Sequence, residues 1–236
     1  AGQALTLTVE PFRDPGRRRD VTLRAGFSSV MDEPRPDKLA ELRPGIWYAD
    51  LTRLQDADWP DAVKRLAGAS GIVFDLRGYP VIQPGWIGHL ADRTLDSPQW
   101  HIPLVTLPDR NGMRFEQMPG WKLEPQTPYF KARRAVLADA RAISYAESCL
   151  AIVEHYRLAE IVGEGTAGTN GNVNPVTLPG GYRFGFTGMK VLKHGGSRHH
   201  GVGVEPTVPA ARTRAGVAAG KDEVLERALA LVSARP

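Results

Sequence analysis

The sequence predicts an α/β domain built on a largely parallel sheet, and three observations carry that expectation. Residues 71–76 (GIVFDL) and 135–140 (AVLADA) are short, nearly continuous apolar runs, the mark of strands buried on both faces. Stretches with helical spacing recur between such runs. The chain of 236 residues, 42% hydrophobic and 24% charged, is also long enough to bury one large core.

Ahead of that domain, residues 4–10 (ALTLTVE) alternate apolar and polar side chains, PFRDPGRRRD supplies Pro, Asp and Gly for a reversal, and residues 21–24 (VTLR) resume the alternation. This is a β-hairpin, within a segment 1–30, and a lone hairpin is marginal in water. Residues 31–44 are polar and punctuated by prolines, which suits a linker. The main domain, 45–236, opens with a strand over 46–51 (IWYADL) and a helix over 58–69 with Pro60 near its start. The strand at 71–76 follows, then a short helix at 86–93 and a strand at 101–107. After the strand at 135–140 come an amphipathic helix at 145–156 and a strand at 159–163. Residues 173–178 and 182–192 read as antiparallel strands, and a helix over 222–232, with Val224, Leu225, Leu229 and Leu231 apolar, closes the chain.

Composition excludes several function classes. Thirty basic against twenty-six acidic residues give a net charge of +4, and the one dense basic cluster, Arg17-Arg18-Arg19, runs straight into Asp20. Nucleic-acid binding needs a longer basic stripe with aromatics to stack on bases. No run approaches the roughly 18 apolar residues of a membrane span, and AGQALTLTVE lacks the basic and apolar regions of a signal peptide. The single cysteine, Cys149, leaves no disulfide within the chain and no Cys-rich zinc site. His194, His199 and His200 have no H-E-x-x-H spacing or nearby acidic ligand, and GEGTAGTNG at 163–171 lacks the Gly-Lys-Ser/Thr of a phosphate loop, so neither a metal nor a nucleotide cofactor is expected.

In an open α/β sheet, ligands meet the carboxyl ends of the strands, and two of those ends are rich in functional groups. One is DLRGYP at 75–80; the other is DARAISYAES at 139–148, where a buried strand turns into a helix with Ser144 at the junction. Developing negative charge is stabilised there by the helix dipole and free amides, so the Tyr145 amide could form half of an oxyanion hole. Ser144 and Glu147 also match S-x-x-E, the capping box, and by spacing alone Ser144 reads as a helix cap rather than a nucleophile. Cys149 lies in an apolar helical stretch and reads as a small buried hydrophobe.

Five segments in order tip that balance: GIWYADL, GIVFDLRGYP, AVLADARAISYAESCLAIVEHYRLAEIVGEGTAGTNG, LPGGYRFGFTGMKV and HHGVGVEPTVP. Together they resemble the carboxyl-terminal-processing (tail-specific) serine proteases and their tricorn-core relatives, over about residues 45–209. The opening hairpin is similar to the last two strands of a PDZ domain. The resemblance implies a sandwich like the crotonase and Clp protease folds, no cofactor, an extracytoplasmic setting, and an extended polypeptide substrate added to a sheet edge. It makes Ser144 the nucleophile and Tyr145 one oxyanion amide. The second amide falls on Val81, where the family has glycine, with Gly78 as a fallback. The lysine of Ser-Lys members corresponds to Thr169, so a lysine dyad is not expected. Tricorn-like members place a His on the first strand and a Glu before the closing motif; those places hold Asp50 and His200, the same residue types exchanged. The expectation is therefore a Ser144, His200, Asp50 triad, with His199 as the alternative base if the alignment slips by one. The altered DLRGYPV loop and the missing lysine also fit another outcome, a catalytically silent peptide-binding protein on the same fold.

Overall fold

The structure, a computed structural model, describes residues 3–24 and 34–234. They fall into two compact units. In the smaller, β1 (Ala4–Val9) and β2 (Arg19–Arg24) form the expected antiparallel hairpin, with Ala4 opposite Arg24 and Val9 opposite Arg19. Residues 212–222, with a short helix Arg214–Ala218, belong to this unit rather than to the main domain that the sequence assigned them to. A PDZ fold is not shown by these elements.

The larger unit begins at Pro36 and contains β3 (Leu39–Arg43), β4 (Ile46–Asp50), α1 (Trp59–Leu66) and β5 (Gly71–Asp75). Next come β6 (Leu95–Asp96), β7 (Gln99–Leu104), β8 (Arg114–Gln117), β9 (Lys122–Leu123) and β10 (Arg133–Ala138). Then follow α2 (Tyr145–Tyr156), β11 (Glu160–Gly163), β12 (Val173–Thr177), β13 (Arg183–Thr187), β14 (Lys190–Leu192), β15 (Val208–Pro209) and α3 (Glu223–Ser233). Among the described residues, no helix is long and apolar enough to cross a membrane.

Six strands form the central sheet in the order β15-β11-β10-β5-β4-β3, all parallel except β3. β3 corrects the linker reading of 31–44: LAELR pairs with β4 at the sheet edge, and the prolines on either side of it (Pro34, Pro36 and Pro44) masked its alternation. The segment read as a helix at 86–93 is a 3₁₀ turn over Pro84–Leu90.

Period-two alternation sends the side chains of each inner strand to two different cores. Ala49, Ile72, Phe74, Val136, Ala138 and Ile161 pack with α1 and α2, whereas Tyr48, Val73, Ala135, Leu137 and Val162 pack under α3. The parallel strands β4, β5 and β10 end together, so the loops after Asp50, Asp75 and Ala138 share one end of the sheet. At that end Gly163 lies opposite Ala138 with φ +133°, and a Cβ there would sit 2.1 Å from the Ala138 carbonyl oxygen. Only glycine meets both demands. Gly163→Ala is expected to lower the stability of this unit by about 3 kcal/mol, measured as a shift of the urea midpoint at unchanged slope.

Candidate active site

Ser144 stands where the chain leaving β10 turns into α2. The Ala146 amide donates to the Ile143 carbonyl at 3.0 Å, closing a β-turn whose second residue is Ser144. Its φ of 52° and ψ of −108° are those of a type II′ turn, a position that glycine normally fills. Holding a serine there costs on the order of 1–3 kcal/mol, so the surrounding structure has to enforce it.

Glu147 is what enforces it. Its carboxylate is wholly buried, and Oε2 accepts from the Ser144 amide at 3.2 Å and the Thr169 amide at 3.0 Å. Oε1 accepts from the Thr166 hydroxyl and the Gly168 amide, each at 2.6 Å. The Ser144 amide also donates to the Thr169 carbonyl at 2.8 Å. One anion thus fastens the serine turn to the glycine-rich loop at 163–171. Ser144 and Glu147 face each other as a capping box, yet the serine hydroxyl closes no cap hydrogen bond of ordinary geometry, leaving Oγ available. The cap and the nucleophile readings of S-x-x-E are therefore compatible.

The Tyr145 amide, first in the helix, has no protein acceptor among the described residues. Its phenol donates to the Ile82 carbonyl at 2.8 Å and ties the 78–82 loop to the helix start. The two other oxyanion candidates are engaged: the Val81 amide donates to Leu51 O at 3.2 Å and the Gly78 amide to Leu76 O at 3.0 Å. Cys149 is fully buried in α2, which pushes its thiol up to about 12 and leaves it inert at neutral pH.

The structure does not bring the three expected triad members into contact. Asp50 has the strand parity of Tyr48 and points to the α3 face, whereas α2 covers the other. Its buried carboxylate accepts from Tyr48 Oη at 3.2 Å, from the Thr52 amide and hydroxyl at 2.9 and 2.6 Å, and from Arg53 Nε at 2.6 Å. The half-buried His200 holds its Nε2 3.1 Å from both the Val191 amide and the Met189 carbonyl. His199 is sealed in the interior with Nε2 3.3 Å from Glu147 Oε2, without a well-aligned hydrogen bond. No hydrogen bond links Ser144 to either histidine, or Asp50 to His200, among the described residues.

Glu147 as an anchor, Thr166, and Asn170 beneath the serine escaped sequence reasoning. S-x-x-E was the available signal, but it points to a cap. Among the described residues no group of three metal-ligating side chains is assembled. A cavity of about 340 Å³ opens at Ser144, lined by Tyr145, Tyr79, Trp100, Trp121 and Met189 among others. A larger one, about 690 Å³, is lined by Lys131, Arg133, Arg134, Arg157, Glu154 and Glu160 among others and does not include Ser144. Because Ser144 is held in a glycine conformation, Ser144→Gly should raise stability by about 1 kcal/mol in urea unfolding, the reverse of an ordinary Ser→Gly change at a helix start.

No curated protein sequence matches the chain. Among solved structures it is similar to mature CPAF in complex with lactacystin, at 13% identity and a TM-score of 0.69, covering 97% of this chain and 66% of that one. It is also similar to the photosystem II D1 C-terminal processing protease, at 19% identity and a TM-score of 0.54, covering 89% of this chain and 56% of that one. The chain thus spans about two thirds of the length of the first and little more than half of the second. At these identities the likeness establishes the fold, a mixed α/β architecture with a largely parallel central sheet. The family model for peptidase family S41 matches residues 46–210, from the first strand of the parallel sheet to just past β15. A match over that much of the chain, on this fold and with a serine at the start of α2, makes the chain a member of peptidase family S41, the serine-type peptidases.

Proposed function

We propose that this chain hydrolyses peptide bonds of polypeptides with Ser144 as the nucleophile. One observation carries the reading: Ser144 occupies a strained II′ position at the positive end of a helix, beside a cavity and an unspent amide. Ser144 Oγ attacks the scissile carbonyl carbon, and the electron pair displaced onto oxygen is held by the Tyr145 amide. Collapse of this intermediate expels the amine, which takes up a proton, and water then releases the acyl group from the serine. Val81 or Gly78 would add a second donor if the 77–82 loop shifts on substrate binding.

The serine proton needs a base. Of the two adjacent histidines His199 is enclosed against Glu147, so we assign the role to His200, whose half-buried ring must turn away from Met189 and Val191 to reach Ser144. Asp50 could orient that ring only by leaving Tyr48, Thr52 and Arg53. We therefore assign Asp50 to the scaffold. The engagement of His200 Nε2 by Val191 and Met189 also favours a second reading, peptide binding without turnover.

An unfolded polypeptide substrate and a fluorophosphonate probe separate the two. Hydrolysis that is lost in Ser144→Ala and falls at least about hundredfold in His200→Ala, with a single phosphonyl adduct on Ser144, supports the peptidase. Folded wild-type protein that binds polypeptide but neither cleaves it nor takes the probe supports the binding protein. Asp50→Asn should cost about 3 kcal/mol of stability while the folded fraction keeps its specific activity; folded but inactive Asp50→Asn would return Asp50 to the relay.

A further inference from the structure

The cavity at Ser144 has an unusual lining. Trp100 on β7 and Trp121 just before β9 approach with ring centroids 5.2 Å apart, and Trp121 meets the Tyr145 ring edge-on at 5.5 Å. Met118 and Met189 add thioethers, and no side chain in the lining is charged. The polar groups beneath the serine are already occupied. Asn170, 3% exposed, donates through Nδ2 to Ser148 Oγ at 3.0 Å, and its Oδ1 accepts from the Gly171 amide at 2.7 Å. Ser148 Oγ in turn donates to the Ser144 carbonyl at 3.3 Å.

A side chain entering this space meets aromatic faces and sulfur on one side and the uncharged polar groups of Ser144, Ser148, Asn170 and Asn172 on the other. An aromatic ring gains offset or edge-on contacts there, and a flexible thioether packs well against the same faces. A carboxylate or ammonium would lose its hydration and find no counter-charge. At about 340 Å³ the cavity is at the small end of ligand sites, the right scale for one bulky side chain rather than a long segment. Ser144 and Tyr145 are themselves part of the wall, so the side chain held here belongs to a residue next to the bond under attack.

We infer that this cavity is the subsite for the residue flanking the scissile bond, and that Trp100, Trp121 and Met118 select a large aromatic or thioether side chain and reject charged ones. The inference rests on Ser144 being the nucleophile. The substrates it picks out are polypeptides cleaved beside Phe, Tyr, Trp or Met, segments that unfolding exposes and a native core conceals.

Serine-reactive phosphonates that differ only in the side chain beside phosphorus test it. The benzyl probe should label Ser144 at least about tenfold faster than the methyl or the carboxyethyl probe, read by intact mass against time. In Trp121→Leu that advantage should collapse. Met118→Glu keeps both tryptophans, and should shift the preference toward an aminobutyl probe, which the wild type labels slowest together with the carboxyethyl one. Equal rates for all probes on the wild type, or a preference that neither variant alters, would overturn the subsite while leaving the nucleophile intact. No labelling by any probe, the smallest included, would overturn the Ser144 reading itself and the subsite with it.

Discussion

The active end of this molecule depends on one buried carboxylate. Burying an ionised Glu without compensation costs several kcal/mol, and Glu147 meets that demand with backbone and hydroxyl donors from two separate segments. The same bonds hold Ser144 at a positive φ and bring the loop after β11 against the start of α2. The proposed oxyanion site follows from that arrangement, because a helix whose first turn is fixed by its own Glu leaves the Tyr145 amide without a protein acceptor among the described residues. At the position corresponding to the lysine of Ser-Lys relatives, Thr169 instead gives both its amide and its carbonyl to this latch.

A second buried cluster explains why the expected relay is not assembled. Asp50 and Asp75 lie side by side in register on β4 and β5, and Tyr48 Oη donates to both. Two carboxylates so close repel unless cations accompany them, and here each has its own: Arg53 on Asp50, and Arg77 on Asp75 with Nη2 at 2.6 Å. This balanced set joins the strand ends on the face away from α2. Moving Asp50 to serve a histidine would give up the bonds it accepts from Tyr48, Thr52 and Arg53.

What the sequence disclosed, and what it hid, follows from range of interaction. The inner strands were legible because burial on both faces leaves an unbroken apolar run, as in residues 71–75, and α2 because its cap, length and apolar content agree. The edge strand β3 was hidden by its prolines, and the two-residue strand β15 is too short to show any period. The expectation for Ser144 came from motif order. The face that Asp50 takes depends on strand parity against a helix from the far end of the chain. Which of His199 and His200 turns inward depends on a loop closing over Glu147. Neither is encoded locally, and the same holds for the aromatic cavity, which gathers residues from β7, the segment before β9, the start of α2 and the loop before β12.

The most direct measurement of the central claim, that the strained Ser144 turn and the Tyr145 amide form a working acyl-transfer site, is a crystal structure of the chain phosphonylated at Ser144. The account predicts the phosphoryl oxygen about 3 Å from the Tyr145 amide, with Ser144 still at positive φ and Glu147 still holding the Ser144 and Thr169 amides. A phosphoryl oxygen turned to solvent, with Ser144 relaxed to negative φ, would contradict it.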